Sequence, residues 1–196
     1  MFGDYLAHCK KIKRKYKCDH VIFIGDITDA HFSSFHVSDP DGYGGGAELE
    51  LAIKQLKPWY KAFPNATVIL GNHDRIVTRK AKMANLPSKW VRDYNDVLET
   101  PNWEWKIEDV VDGVKYVHGE ASTARTTMKN EGLSVVQGHR HSEMYVEYYN
   151  DRFALQTGCG VNRNSYAMEY ARAYKPQMLG CAVVIGGTHA YVEPMR

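Results

Sequence analysis

Four short stretches of this chain close an apolar run on glycine together with side chains able to hold a cation. They are Gly25-Asp26, Gly71-Asn72-His73-Asp74, His118-Gly119 and Gly138-His139-Arg140-His141. Asp and Asn offer hard oxygen donors, and histidine offers a borderline nitrogen. That mix suits Mn²⁺, Fe, Zn²⁺ or Ni²⁺ better than Ca²⁺ or Cu⁺. A cation in such a cage brings the pKa of bound water toward neutrality. The competing reading makes the same residues turn formers and helix caps, a common use of Asn and Asp after strands.

For the chemical reading to hold, the preceding segments must be strands whose carboxyl ends share a rim, where open α/β sheets bind their ligands. Residues 20–25 (HVIFIG) and 66–70 (ATVIL) are short continuous apolar runs that suit buried strands. Residues 114–117 and 133–137 read in the same way, and 103–107 adds a further strand. Phe2, Tyr5, Leu6, Cys9, Ile12 and Tyr16 recur at three- and four-residue steps, the spacing of an amphipathic helix with lysines outside. A second helix places Leu49, Ile53, Leu56, Tyr60 and Phe63 on one face, and Pro58 is expected to kink or split it. Helices are also expected over 74–84, 88–98 and 122–130. Residues 31–46 read as a long loop rich in turn chemistry. Two hairpins follow late in the chain, turning at Asn150-Asp151 and Gly186-Gly187. Units of β-α type come first and antiparallel strands later. The expected fold is therefore α/β, a two-sheet mixed β sandwich flanked by helices, in a single domain over 1–196.

The ordered motifs resemble those of the calcineurin-like metallophosphoesterases, which carry D-x-H, G-D-x-x-D, G-N-H-D/E, a later histidine often followed by glycine, and G-H-x-H. This chain has Gly25-Asp26-Ile27-Thr28-Asp29, Gly71-Asn72-His73-Asp74, His118-Gly119 and Gly138-His139-Arg140-His141 in that order. A looser likeness is to the small members found in phage genomes. The resemblance implies a divalent-metal phosphoester hydrolase. Asp26 would bridge two metals, Asn72, His118 and His139 would complete one site, and His141 would serve the other. His73 would assist the leaving group, with Asp74 orienting its ring. The first motif, D-x-H, has no counterpart upstream of Asp26, so the fold is expected to lack the family's first strand. The expectation is one firm metal site and a doubtful second one, either weak or altered. Asp29, His31 and His36 are candidates to rebuild the second site, since Asp29-Ala30-His31 recreates D-x-H spacing. Arg140 is a candidate for contact with substrate. Manganese is the foremost expected ion, with Fe, Zn or Ni also suited.

Bulk properties narrow the remaining classes. A length of 196 residues is enough for a sizeable core. A net charge of +2 gives no global field toward nucleic acid or membrane. Lys10, Lys11, Lys13, Arg14, Lys15 and Lys17 crowd the first helix; a solvated face explains them, and a grip on a phosphate backbone is the sharper alternative. Four cysteines form no C-x-x-C pair, and no run has signal-peptide or membrane-span character, so a cytoplasmic location with free thiols is expected. The expected partners are a phosphate-ester substrate, with nucleotide or nucleic acid as candidates, no membrane, and a second copy of the chain on an open sheet edge. A single metal is short of charge for a dianionic monoester, which favours phosphodiesterase over phosphomonoesterase activity. The alternative is a catalytically silent scaffold of the same fold that binds protein.

Overall fold

The computed structural model describes residues 3–35, 41–162 and 176–196. The chain divides into two compact units, one formed by His20–Lys106 and the other by Met1–Asp19 with Ile107–Arg196. Both are mixed α/β.

In the His20–Lys106 unit, β1 (Ile22–Phe23), β2 (Ala66–Ile69) and β3 (Trp103–Lys106) form a parallel sheet with β2 at its centre. All four residues of β2 are buried, Thr67 with its hydroxyl 3.2 Å from His20 Nε2. Phe23 packs its ring against Trp59, Phe63 and Trp103. Trp103 satisfies its indole N–H on the Phe63 carbonyl at 2.8 Å. Within the same unit lie α2 (Gly45–Ala62), α3 (Ile76–Met83) and the single turn α4 (Tyr94–Val97).

The other unit holds α1 (Tyr5–Tyr16) and α5 (Ala124–Glu131). Its five-stranded sheet runs β4 (Glu108–Val111), β5 (Val114–Val117), β6 (Ser134–Gln137), β8 (Arg152–Gln156), β7 (Tyr145–Tyr149). The inner strands β5, β6 and β8 are parallel, and the outer two pair antiparallel. Ala124 and Met128 of α5 bury against Val135 and Ala154. Strands β9 (Gly180–Ile185) and β10 (His189–Pro194) form a separate antiparallel pair. Tyr148 joins that pair to β7, its hydroxyl accepting from the Ala190 N–H at 2.7 Å.

Several expectations are corrected. Pro58 neither splits nor ends α2, which continues to Ala62. Burial of Leu56, Trp59 and Phe63 around that turn offsets the roughly 3 kcal/mol that an interior proline costs. The helix expected over 88–98 is a 3₁₀ turn at Ser88–Trp90 and then α4, because Pro87 and Asp93 hold extended backbone where a helix would have to begin or continue. The loop over 31–46 contains a 3₁₀ turn at His31–Ser33, and α2 begins inside its end. Strand β4, antiparallel to β5, was not foreseen: the run past Lys106 breaks at exposed Ile107 and restarts.

Candidate metal centre

In the His20–Lys106 unit the site grows from two turns, one after β1 and one after β2. Asp26 stands in left-handed backbone at φ 53°. An Asp tolerates that region better than most residues, and such strain gathers at functional turns. Its Oδ1 accepts the backbone N–H of His73 at 3.0 Å. The two turns touch so closely that a Cβ at Gly71 would fall 2.1 Å from Asp26 Oδ1 and 2.4 Å from its backbone nitrogen. Only glycine permits that approach.

Asp74 fastens the same turns. Its Oδ1 accepts from the backbone N–H and hydroxyl of Thr28, at 2.8 and 3.0 Å, and its Oδ2 accepts from Gly71 N–H at 2.9 Å. Burial raises the Asp74 carboxyl above its ordinary pKa, and the neighbouring Asp26 charge adds to the rise, while the Thr28 and Gly71 hydrogen bonds oppose it. The ring of His73 is held by Asp29: its Nδ1 lies 2.9 Å from Asp29 Oδ1 and 3.0 Å from the Asp29 carbonyl. Burial opposes a charge on this imidazole, but the Asp29 hydrogen bond and the Asp26 and Asp29 charges prevail and raise its pKa to about 9. The expectation that Asp74 orients the His73 ring is therefore corrected. Both oxygens of Asp74 are engaged by the turns, and the ring partner is Asp29.

In the other unit, His118 follows β5 and His139 follows β6. His118 is buried. His139 has left-handed backbone at φ 67°. The two rings meet edge to face, with His118 Nε2 and His139 Nδ1 3.2 Å apart. Two fully buried glutamines set the loops that carry them. Gln137 donates to the carbonyls of Gly119, at 3.2 Å, and Ser122, at 2.6 Å. Gln156 donates to the Gly138 carbonyl. Gly138 N–H also reaches the His118 carbonyl at 3.2 Å. A Cβ at Gly119 would collide with the Gln137 side chain at 2.0 Å, and its φ of +93° excludes other residues as well. His141 lies two residues beyond His139, half-buried, its carbonyl accepting from Met178 N–H at 2.7 Å.

A family model described as calcineurin-like phosphoesterase matches residues 1–191. The chain belongs to the calcineurin-like phosphoesterase family. A search of curated proteins finds no match. Membership sets the coarse chemistry of this phosphoesterase: a phosphate ester as substrate and a divalent cation as the cofactor class.

The donors present fit such an ion. Two nitrogens each about 2.1 Å from one cation stand about 3.0 Å apart at a right angle and about 3.4 Å apart at a tetrahedral angle. The 3.2 Å between His118 and His139 falls inside that interval. Asp29 Oδ2 is buried with no hydrogen-bond partner among the described residues, as is Arg140 Nε. Each is a group that a ligand would satisfy.

Asn72 sits half-buried in the turn between Gly71 and His73. His31 is buried, and its backbone N–H donates to Glu48 Oε1 at 2.8 Å, while Phe32 N–H donates to Oε2 at 2.9 Å. His36 lies outside the described residues. Arg140 leans toward Glu143 at 3.6 Å. Sequence reasoning missed Glu48, Gln137 and Gln156. Glu48 was hidden in the helical repeat of α2, and the glutamines looked like strand ends. A polar residue at the close of a buried strand, beside a ligand-bearing loop, was the available signal. No helix among the described residues is long and apolar enough to cross a membrane.

Proposed function

We propose that the chain hydrolyses phosphodiesters, with one cation held by Asp26, Asn72, His118 and His139 and a weaker second site served by His141. Manganese is the foremost ion. The observation that supports this best is the 3.2 Å convergence of His118 Nε2 and His139 Nδ1, a spacing that suits two nitrogens sharing one ion. The order of the four motifs supports assigning Asp26 and Asn72 to the same ion. A divalent cation, when bound, supplies Lewis acidity toward phosphate oxygens and water.

The rest of the work falls to the protein. Asp29 fixes the His73 ring through Nδ1, which leaves Nε2 to face the substrate and pass a proton to the departing oxygen. Asp74 and Gly71 keep Asp26 and His73 in register. The Arg140 guanidinium, with its buried Nε, is suited to a phosphate oxygen. A cage with one full metal site favours a monoanionic diester over a dianionic monoester. Edge strands β1 and β3 are where a second copy would pair, which light scattering reads directly.

The test is hydrolysis of bis-p-nitrophenyl phosphate and p-nitrophenyl phosphate by metal-free protein resupplied with Mn²⁺, Zn²⁺, Ni²⁺ or Fe²⁺. The expected result is turnover of the diester with Mn²⁺, lost in His73→Ala and Asp26→Asn. Folded protein inactive with every ion would refute the proposal.

A further inference from the structure

The turn that carries Asn72, His73 and Asp74 runs directly into a basic, acid-free stretch of the chain. Between Arg75 and Arg92 stand six cations, Arg75, Arg79, Lys80, Lys82, Lys89 and Arg92, and no acid, in a chain whose net charge is +2. Arg75, Arg79 and Lys82 follow i, i+4, i+7 spacing and share one face of α3, whose Ile76 is buried. At 1.5 Å per residue that stripe is about 10 Å long. Among the described residues, Arg79, Lys80, Lys82, Lys89 and Arg92 form no ion pair with a carboxylate.

Aromatic faces stand among these charges. Trp90 is 78% exposed, and Phe35 is 47% exposed. The Arg79 guanidinium carbon and the Lys80 ammonium lie 4.9 and 5.3 Å from the centre of the Phe35 ring. An indole so far in water contributes little to folding. Unpaired cations beside open aromatic faces match the needs of a polymer with a charged backbone and exposed bases. On α1 the aromatic neighbour is already engaged: the half-buried Tyr16 ring carries the Lys15 ammonium at 4.7 Å and stacks on Tyr191. Lys15 is paired with Glu193 at 2.7 Å, and Tyr16 donates its hydroxyl to the same carboxylate.

We infer that the surface spanning Arg75 to Arg92, with Phe35 and Trp90, binds single-stranded nucleic acid, the phosphodiester substrate of the adjoining turn. The substrate assignment rests on the phosphodiesterase reading above; the binding surface does not. The cations contact phosphates and Trp90 stacks on a base. Unstacked bases are available in single strands, so a duplex is the poorer ligand. An anionic membrane is disfavoured because α3 has only eight residues and its cations are interleaved with its apolar side chains.

The experiment uses the full chain in EDTA and a fluorescein-labelled, mixed-sequence oligonucleotide, read by anisotropy across a salt series. Wild type binds the single strand more tightly than its duplex and does not bind phosphatidylserine vesicles. Trp90→Ala weakens single-strand binding about fivefold or more. The triple variant R79Q/K82Q/K89Q lowers the slope of log affinity against log salt by about 2, at about 0.7 per lost contact. K10Q/K11Q/R14Q leaves binding unchanged. Absence of binding, equal affinity for the duplex, binding to the vesicles, or an effect confined to the α1 variant overturns the inference. The two readings fail separately. Turnover of bis-p-nitrophenyl phosphate without oligonucleotide binding removes this inference alone, and binding without turnover under any metal removes the hydrolytic reading alone.

Discussion

Gly71→Ala is the most exposing single change to the turns that carry Asp26 and His73. The added Cβ would stand 2.1 Å from Asp26 Oδ1 and 2.4 Å from Asp26 N. Non-bonded heavy atoms settle near about 3.5 Å, so one turn must retreat by about 1 Å. The obstacle includes backbone, and rotation of the Asp26 side chain alone does not relieve it. Overpacking of this kind costs about 1–3 kcal/mol. The retreat also strains the His73 N–H bond to Asp26 at 3.0 Å and the Gly71 N–H bond to Asp74 at 2.9 Å. With a further ~1 kcal/mol for a weakened hydrogen bond, the total is about 2–4 kcal/mol. In a chain of this size that lowers Tm by about 4–16 °C. A displacement of about 1 Å in a catalytic group costs turnover about a hundredfold. Thermal melts at fixed metal concentration read the first effect, and diester turnover well below the melt reads the second. A G71A protein with wild-type Tm and turnover would show that the two turns are not in contact, and would refute the reasoning.

Four further outcomes follow from the same contacts. Glu48→Ala strips the acceptor from two backbone N–H groups at His31 and Phe32 and lowers stability by about 2–4 kcal/mol in urea melts. Asp74→Asn sets an amide N–H₂ against donors from Thr28 or Gly71, costs about 1–3 kcal/mol, and lowers turnover through misplacement of Asp26. Gly119→Ala drives into the Gln137 side chain from a left-handed backbone and loosens the loop after His118, seen as a lower melting temperature and weaker metal binding. Lys115→Met shifts stability by less than about 1 kcal/mol, because Glu108 and Glu131 are exposed enough to be solvated alone while the buried stem keeps its packing.

The strands bearing the motifs were legible because each is a short apolar run closed by glycine, and β2, β5, β6 and β8 stand within a residue or two of the expected positions. Strand β4 was not, since Glu108 and Asp109 broke the apolar pattern that marks a buried strand. Pro58 misled because a local rule, proline against helix, was outweighed by tertiary burial of its neighbours. At the candidate centre Asp26, His73, His118 and His139 were nominated by ordered motifs and the family resemblance those motifs carry. Their supports were not. Asp29 as the partner of the His73 ring, Gln137 under Gly119 and Glu48 under His31 all span long stretches of chain, and no periodicity encodes them.

The central proposal is that Asp26 and His139 serve as ligands of the same cation, and a double-mutant cycle on Mn²⁺ affinity tests it most directly. Titration calorimetry would be run on wild type, Asp26→Asn, His139→Ala and the double variant, each verified as folded by circular dichroism. Each single change should weaken binding at least about tenfold. The double variant should lose less than the two single losses combined, because two ligands of one ion do not act independently. Wild-type affinity in either single variant, or strictly additive losses in the double, would contradict the shared site.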